Sequence, residues 1–349
     1  MRAKTFIVAL ALTFLSCSGG DESPVESDYI VYIVEDQAEA LAAFLPVQDS
    51  LAGSAATGST PNFVFGHGDR LYLVNSGFTG SPSVSVFQAS APPVLIREIP
   101  MPTGSNPYAA DAIGDTVFVS GLLSDQLYII SGDSLLDSVA VGRAPEGVLC
   151  FNDKVFVVCT GYDFNTYTPG PGALYRYDPV TGALDSAALG VNPQWAVLDD
   201  QAMIHIVLTG DYASPGGAVV KLDPDLMRVV DSVAVPGHSP GAITLGGDFG
   251  YVIAWDGTLI SYGLDNMTIL DSLVLGSGIS GLTWETNGIW LTRYSNSEQN
   301  QLIKLQGLTV EDSVALGSGV GAKAPLVWTG AQVAALSFCP APGRKAQPR

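Results

Sequence analysis

The chain has 349 residues, with 34 Asp and Glu against 15 Lys and Arg, and a formal charge of -19 at neutral pH. Only 14% of residues are charged and 47% are hydrophobic, with 39 Gly and 22 Pro. So few cations leave no basic surface for a phosphate backbone, which excludes nucleic-acid binding, and this much apolar content excludes intrinsic disorder. The first predicted element is an export signal. Arg2 and Lys4 precede an apolar run over residues 6–15, too short to span a bilayer as a helix and the right size for a signal-peptide core.

That run leads into Phe14-Leu15-Ser16-Cys17 and then a polar, acidic stretch over residues 18–27. The tetrapeptide resembles the bacterial lipobox, in which a small residue precedes a cysteine that is diacylated and becomes the mature N-terminus. Phe14 stands where that motif usually has Leu. The resemblance implies a lipidated Cys17, a signal over residues 1–16 and a flexible tether over residues 17–27. An ordinary cleaved signal peptide with an incidental cysteine is the alternative. Loss of residues 1–16 removes Arg2 and Lys4 and takes the charge from -19 to -21. No later run of 18 apolar residues exists, so no transmembrane helix is predicted.

From there one hexapeptide organises the chain. It reads Asp137-Ser-Val-Ala-Val-Gly142, Asp185-Ser-Ala-Ala-Leu-Gly190, Asp231-Ser-Val-Ala-Val-Pro236, Asp271-Ser-Leu-Val-Leu-Gly276 and Asp312-Ser-Val-Ala-Leu-Gly317. Weaker copies begin at Asp49 and Arg97, giving seven. Each period contains four short strands. In the third, an inner strand follows Asn106-Pro107, a Gly114-Asp115 turn leads to Val117–Ser120, then come residues 126–130 and the hexapeptide itself. Four strands per period of 40 to 48 residues, without helical periodicity, describe a propeller blade. The predicted fold is all-β: a seven-bladed β-propeller of four-stranded antiparallel blades over residues 28–338. The last blade is closed by N-terminal outer strands (residues 29–35 and 49–53) and C-terminal inner strands (residues 326–329 and 332–338). Residues 36–48 depart from the repeat as a short helix or irregular insertion, and residues 339–349 read as a disordered tail. The recurrent Asp is expected to bond neighbouring backbone rather than form a functional ring of acids.

With its Asn/Ser-Pro turns, its Asp-Pro-x-Thr-Gly outer turn over residues 178–182 and Tyr72-Leu73-Val74-Asn75, the repeat resembles the bacterial YVTN-repeat propellers. These are grouped with the quinoprotein amine dehydrogenase-like seven-bladed superfamily. The resemblance implies the fold over nearly the whole chain but little about function, since such propellers include enzymes and pure binding modules.

Propeller topology puts the strand two-to-three loops and the four-to-one turns on one face. The short turns of the other face, such as Asn152-Asp153 and Asp199-Asp200, read as structural hairpins. The first face has long, varied loops over residues 160–172, 209–217 and 293–300. The candidate ligand-binding residues there are Tyr162, Asp163, Tyr167, Trp195, Asp211, Tyr212, Arg293 and Tyr294, suited to a polar small molecule, a glycan or a protein. His205 is expected to be packed between blades and His67 to sit on the opposite face. Only His238 is placed for catalysis, and the alternative reading is a lactonase-like hydrolase or lyase using His238, Glu146 and Arg293. Cys150, Cys159 and Cys339 have no metal spacing, and Cys150 and Cys159 read as buried thiols with Cys150 opposite Val155. No haem, dinucleotide or specific Ca²⁺ motif is present, so no cofactor or metal is expected. The sequence therefore predicts an exported, lipid-anchored, monomeric binding or scaffolding module of a bacterial outer membrane or cell surface. Without the anchor it would be periplasmic.

Overall fold

The computed structural model describes residues 29–329, except 133, 215, 287, 296 and 297. Among the described residues twenty-eight strands form seven four-stranded antiparallel sheets. The chain begins with β1 (Ile30–Glu35), β2 (Ala40–Leu45) and β3 (Ser50–Ala56). Blade two is β4 (Pro61–His67), β5 (Arg70–Asn75), β6 (Ser83–Gln88) and β7 (Val94–Pro100). Blade three is β8 (Pro107–Ile113), β9 (Thr116–Gly121), β10 (Gln126–Ser131) and β11 (Ser134–Ala140). Blade four is β12 (Pro145–Phe151), β13 (Lys154–Cys159), β14 (Pro171–Tyr177) and β15 (Leu184–Val191). Blade five is β16 (Pro193–Leu198), β17 (Ile204–Leu208), β18 (Gly216–Asp223) and β19 (Arg228–Pro236). Blade six is β20 (Pro240–Gly246), β21 (Phe249–Ala254), β22 (Thr258–Gly263) and β23 (Ile269–Val274). Blade seven is β24 (Ile279–Glu285), β25 (Gly288–Arg293), β26 (Gln299–Gln306) and β27 (Thr309–Ser318). Last comes β28 (Ala322–Trp328), the innermost strand of the blade that β1 to β3 begin.

The fold is the predicted seven-bladed propeller. Each innermost strand touches the next around the ring, and β28 touches β4 to close it. Closure is mixed, as expected, but with three N-terminal strands and one C-terminal strand in place of two and two. Residues 36–48 supply the extra strand, β2, followed by a single 3-10 turn, Pro46–Gln48. The sequence of β2, Ala-Leu-Ala-Ala-Phe-Leu, is buried on both faces, and such an unalternating apolar run has no period by which to tell strand from helix. The expected strand over residues 332–338, the tail after it, and the signal, Cys17 and tether all lie outside the described residues.

Blade packing explains the composition. Seven hydrophobic clusters fill the seven interfaces between neighbouring blades. Side chains alternate between them with the period of two that a strand imposes. In blade five, Ala196, Leu198, Ile204 and Ile206 face blade four, whereas Val197, Val207 and Val219 face blade six. Trp290 is fully buried at the junction of blade seven with the closing blade, its edge against Phe44 and its indole N–H donating to the Tyr29 hydroxyl. Among the described residues no helix is long and apolar enough to cross a membrane.

In five hexapeptides the Asp carboxylate accepts the N–H of the following Ser, at 2.7 to 2.8 Å. That is the structural role expected of it. In β10, β18, β22 and β26 the pairing register shifts beside this Asp, so the bond stabilises a bulge in the outermost ladder. Asn152 and Asp153 both have positive φ, the signature of a two-residue hairpin turn. They set Cys150 opposite Val155 as expected, although Cys150 is half-buried while Cys159 is buried. Both described chain ends lie on the short-turn face. Ile30 pairs with Trp328, while Glu35 pairs with Ala322, which begins the innermost strand on the other face.

Candidate functional site

The long-loop face is built on one repeated device. A residue with left-handed backbone precedes the innermost strand: Thr60, Asn106, Ala144, Asn192, Gly278 and Gly321. Its carbonyl accepts an N–H from the residue just beyond strand two, as in Leu122 to Asn106 (3.0 Å), Thr160 to Ala144 (3.0 Å) and Thr209 to Asn192 (2.9 Å). Asn and Gly adopt this conformation readily, whereas Ala144 stores strain. Asp125 of the preceding blade holds it there, accepting the Ala144 N–H at 2.8 Å. Hydroxyls and amides also link neighbouring blades at four of the seven junctions. Asn62 donates to the Tyr108 carbonyl, Ser120 to that of Glu146, Thr209 to that of Pro240 and Ser280 to that of Ala322.

This places seven equivalent residues around the mouth of the central channel: Asn62, Tyr108, Glu146, Gln194, Gly241, Ser280 and Lys323. Deeper in, Phe63 of blade two stacks on Trp195 of blade five with ring centroids 5.3 Å apart, and Tyr108 lies 6.0 Å from the same indole. These rings meet across the axis and plug it. Gln194 donates to the Tyr212 hydroxyl at 3.2 Å, and the Tyr212 ring stands edge-on to Trp255. A Cβ at Gly241 would come within 2.8 Å of the Trp255 indole nitrogen, so a larger residue would push that ring aside.

Glu146 lies in this cluster. Burial pushes its carboxyl up to about 8. Its charge, followed by burial and Tyr212, pushes the Tyr108 phenol well above its ordinary range. The Tyr212 phenol is raised by burial, with Glu146 and Tyr162 adding to it against the opposing bonds from Asn192 and Gln194.

Other expected site residues are committed to local structure. Asp163 accepts the Asn165 N–H and pairs with Arg143 at 2.9 Å, and its carboxyl is lowered first by that N–H, against a small opposing effect of burial, and then by Arg143. Tyr162 packs on Phe164 within the same loop. Asp211 caps its own loop by accepting the Ala213 and Ser214 amides. Arg293 donates to Gln301 of its own blade and to the Leu275 carbonyl at the end of blade six, and Tyr294 accepts from Gln37. Tyr167 is 77% exposed.

The structure therefore brings Tyr162, Trp195 and Tyr212 toward one mouth with Glu146, and leaves Arg293 and Tyr294 on blade seven. Tyr108, Phe63, Gln194 and Trp255 were not among the expected residues. For Tyr108 and Gln194 the signal was the position directly after the turn proline (Pro107 and Pro193), a residue that begins five of the seven innermost strands.

His238 is half-exposed and its Nδ1 lies 2.8 Å from Asp256. Burial would raise the Asp256 carboxyl, but the Thr258 N–H and His238 lower it. Among the described residues no bond joins His238, Glu146 and Arg293. His67 lies on the opposite face, its Nε2 2.7 Å from the Gly114 carbonyl. His205 is fully buried, with Nδ1 2.9 Å from the Tyr262 hydroxyl and Nε2 3.0 Å from Asp199. Both histidines stand where the sequence placed them. No cluster of three metal-ligating side chains occurs among the described residues.

The fold defines the chain as a seven-bladed β-propeller, and several solved structures resemble it. Apo AztD from Citrobacter koseri superposes with a TM-score of 0.62 at 10% identity, over 88% of this chain and 100% of that one. Kuenenia stuttgartiensis hydrazine synthase gives 0.63 at 12% identity, over 83% of this chain and 99% of that one. The computationally designed protein Ika8 gives 0.56 at 12% identity, over 82% of this chain and 80% of that one. At such identities the likeness is one of fold alone. No family model matches the chain, and no curated protein matches it.

Proposed function

We propose that the chain is a lipid-anchored YVTN-type propeller that serves as a non-catalytic binding or scaffolding module at a bacterial cell envelope. It recognises its partner, a polar ligand, glycan or protein, on the long-loop face. The observation that carries this reading is the mouth itself: aromatic rings, an amide and one carboxylate converge on a plugged channel, while the groups an enzyme would need are tied up elsewhere. Exposed Phe78, Tyr167 and Trp255 extend the same face outward. Such aromatic surface with a few fixed polar groups suits recognition.

A thermal-shift screen of oligosaccharides and short peptides tests it. A stabilising compound should lose its effect in Tyr162→Ala or Trp195→Ala. The rival reading, a hydrolase or lyase, has one observation in its favour, the solvent-accessible His238–Asp256 pair. Turnover of a lactone or glycan that disappears in His238→Ala would sink the binding-module reading. For the anchor, Cys17→Ala should move the protein from the membrane to the soluble fraction, and unchanged partitioning would refute lipidation.

A further inference from the structure

Glu146 has a fixed backbone and an unsatisfied side chain. Its carbonyl takes the Ser120 hydroxyl at 2.6 Å, and the turn before it is pinned by Asp125. Its Oε2 is buried and has no hydrogen-bond partner. At the next mouth position, Gln194 Nε2 is committed to Tyr212. Among the seven mouth positions Glu146 is the only acid, and the only base, Lys323, is paired with Asp36. A buried carboxylate oxygen without a donor is costly and marks a place where a donor belongs. Aromatic rings line the same spot, and their faces attract cations. A metal ion would want several hard ligands, whereas one carboxylate among rings suits a guanidinium or ammonium. The exposed rings beyond the mouth reach further than a small ion could, and a charge of -19 attracts basic chains.

We propose that the channel mouth takes a basic side chain of a partner polypeptide, whose cationic N–H donates to Glu146 Oε2 among Tyr108, Tyr212 and Trp195. This rests on the long-loop face being a binding surface and names what that surface grips. Burial sets the Glu146 carboxyl at about 8, which keeps it largely protonated at neutral pH. An incoming cation restores the charge, so binding releases a proton and tightens as pH rises from 6 to 8. Tyr108 and Tyr212 face the group, with Tyr162 beyond Tyr212 and Gln194 bonded to Tyr212. The raised phenols of Tyr108 and Tyr212 stay neutral in that window, and Arg143 on the adjoining turn is paired with Asp163.

The test is calorimetry on the full chain with acetyl-Gly-Arg-Gly-amide, its lysine counterpart, its neutral citrulline isostere and free agmatine. A cationic peptide should bind saturably and at least about tenfold more tightly than the citrulline peptide. Glu146→Gln should remove that difference, so that the cationic and citrulline peptides bind equally. The lysine arm decides which cation is preferred. Equal binding of arginine and citrulline peptides by the wild type overturns the proposal without any variant, as does no binding of either cationic peptide at 10 mM. Agmatine binding as tightly as the peptide overturns the polypeptide part. The binding role of the face is judged separately, by the Tyr162→Ala screen with neutral glycans.

Discussion

At the residue scale, the Asp199-Asp200 turn holds more than a hairpin. Asp199 accepts the His205 ring N–H at 3.0 Å and pairs with Lys221 at 3.1 Å, while Lys221 also donates to the Leu264 carbonyl. The Tyr262 hydroxyl, its phenol pushed up by burial and by Asp199, lies 2.9 Å from His205 Nδ1 and holds the ring in place. The network bridges blades five and six. Burial alone would raise the Asp199 carboxyl, but His205, the Met203 amide and Lys221 reverse that and hold it at about 2. An unfolded Asp titrates at about 3.9, so this carboxylate contributes about 2–3 kcal/mol. The contribution is complete above roughly pH 4 and lost as pH falls toward 2. His205→Ala should cost about 2–4 kcal/mol in denaturant unfolding and flatten the acid limb of the stability profile. An unchanged acid limb would refute that role. Such partnerships were invisible in the sequence because Asp199 and Leu264 belong to different repeats. Glu146 and Trp195 were legible as mouth residues, but which side chains of a bulged inner strand face the axis depends on register.

At the element scale, the hexapeptide solves the problem of exposed edges. Every blade ends in an outermost strand with apolar residues in the open, including Leu136, Val229, Val230, Ile269, Leu270 and Val310. Unpaired strand edges of this kind invite pairing with another chain, and a charge with a bulge blunts them. Changing Asp137, Asp185, Asp231, Asp271 and Asp312 together to Asn keeps an oxygen for the Ser N–H bond and removes five charges. The variant should fold with a similar circular dichroism spectrum yet aggregate several times faster at 37 °C by light scattering. Aggregation at the wild-type rate would show that the acids serve the bulge alone. The repeat was readable because this strand faces solvent and retains its polar punctuation. Buried β2 carries none, and its identity came only from the ladder it joins.

At the scale of the whole molecule, ring closure depends on one C-terminal strand. β28 pairs with β1 and also packs against β4, β24 and β25. Deleting residues 319–349 would expose β1 as an edge and remove Val327 and Trp328 from two interfaces. The truncated chain should lose cooperative thermal unfolding or melt at least about 10 °C lower, because the closing contacts are shared by both neighbouring blades. A cooperative transition at the wild-type temperature would show that the other blades hold the ring alone. Blade number and mixed closure were legible from the spacing of the hexapeptides, whereas the split of strands between the two termini was not, since nothing in that blade's composition distinguishes inner from outer. The position of the described N-terminus on the short-turn face has a topographic consequence. Residues 17–28 can reach about 40 Å at full extension. A lipid on Cys17 would therefore moor the propeller with its short turns toward the bilayer. The rim around Glu146 would look outward, able to capture a passing partner while standing clear of the headgroups.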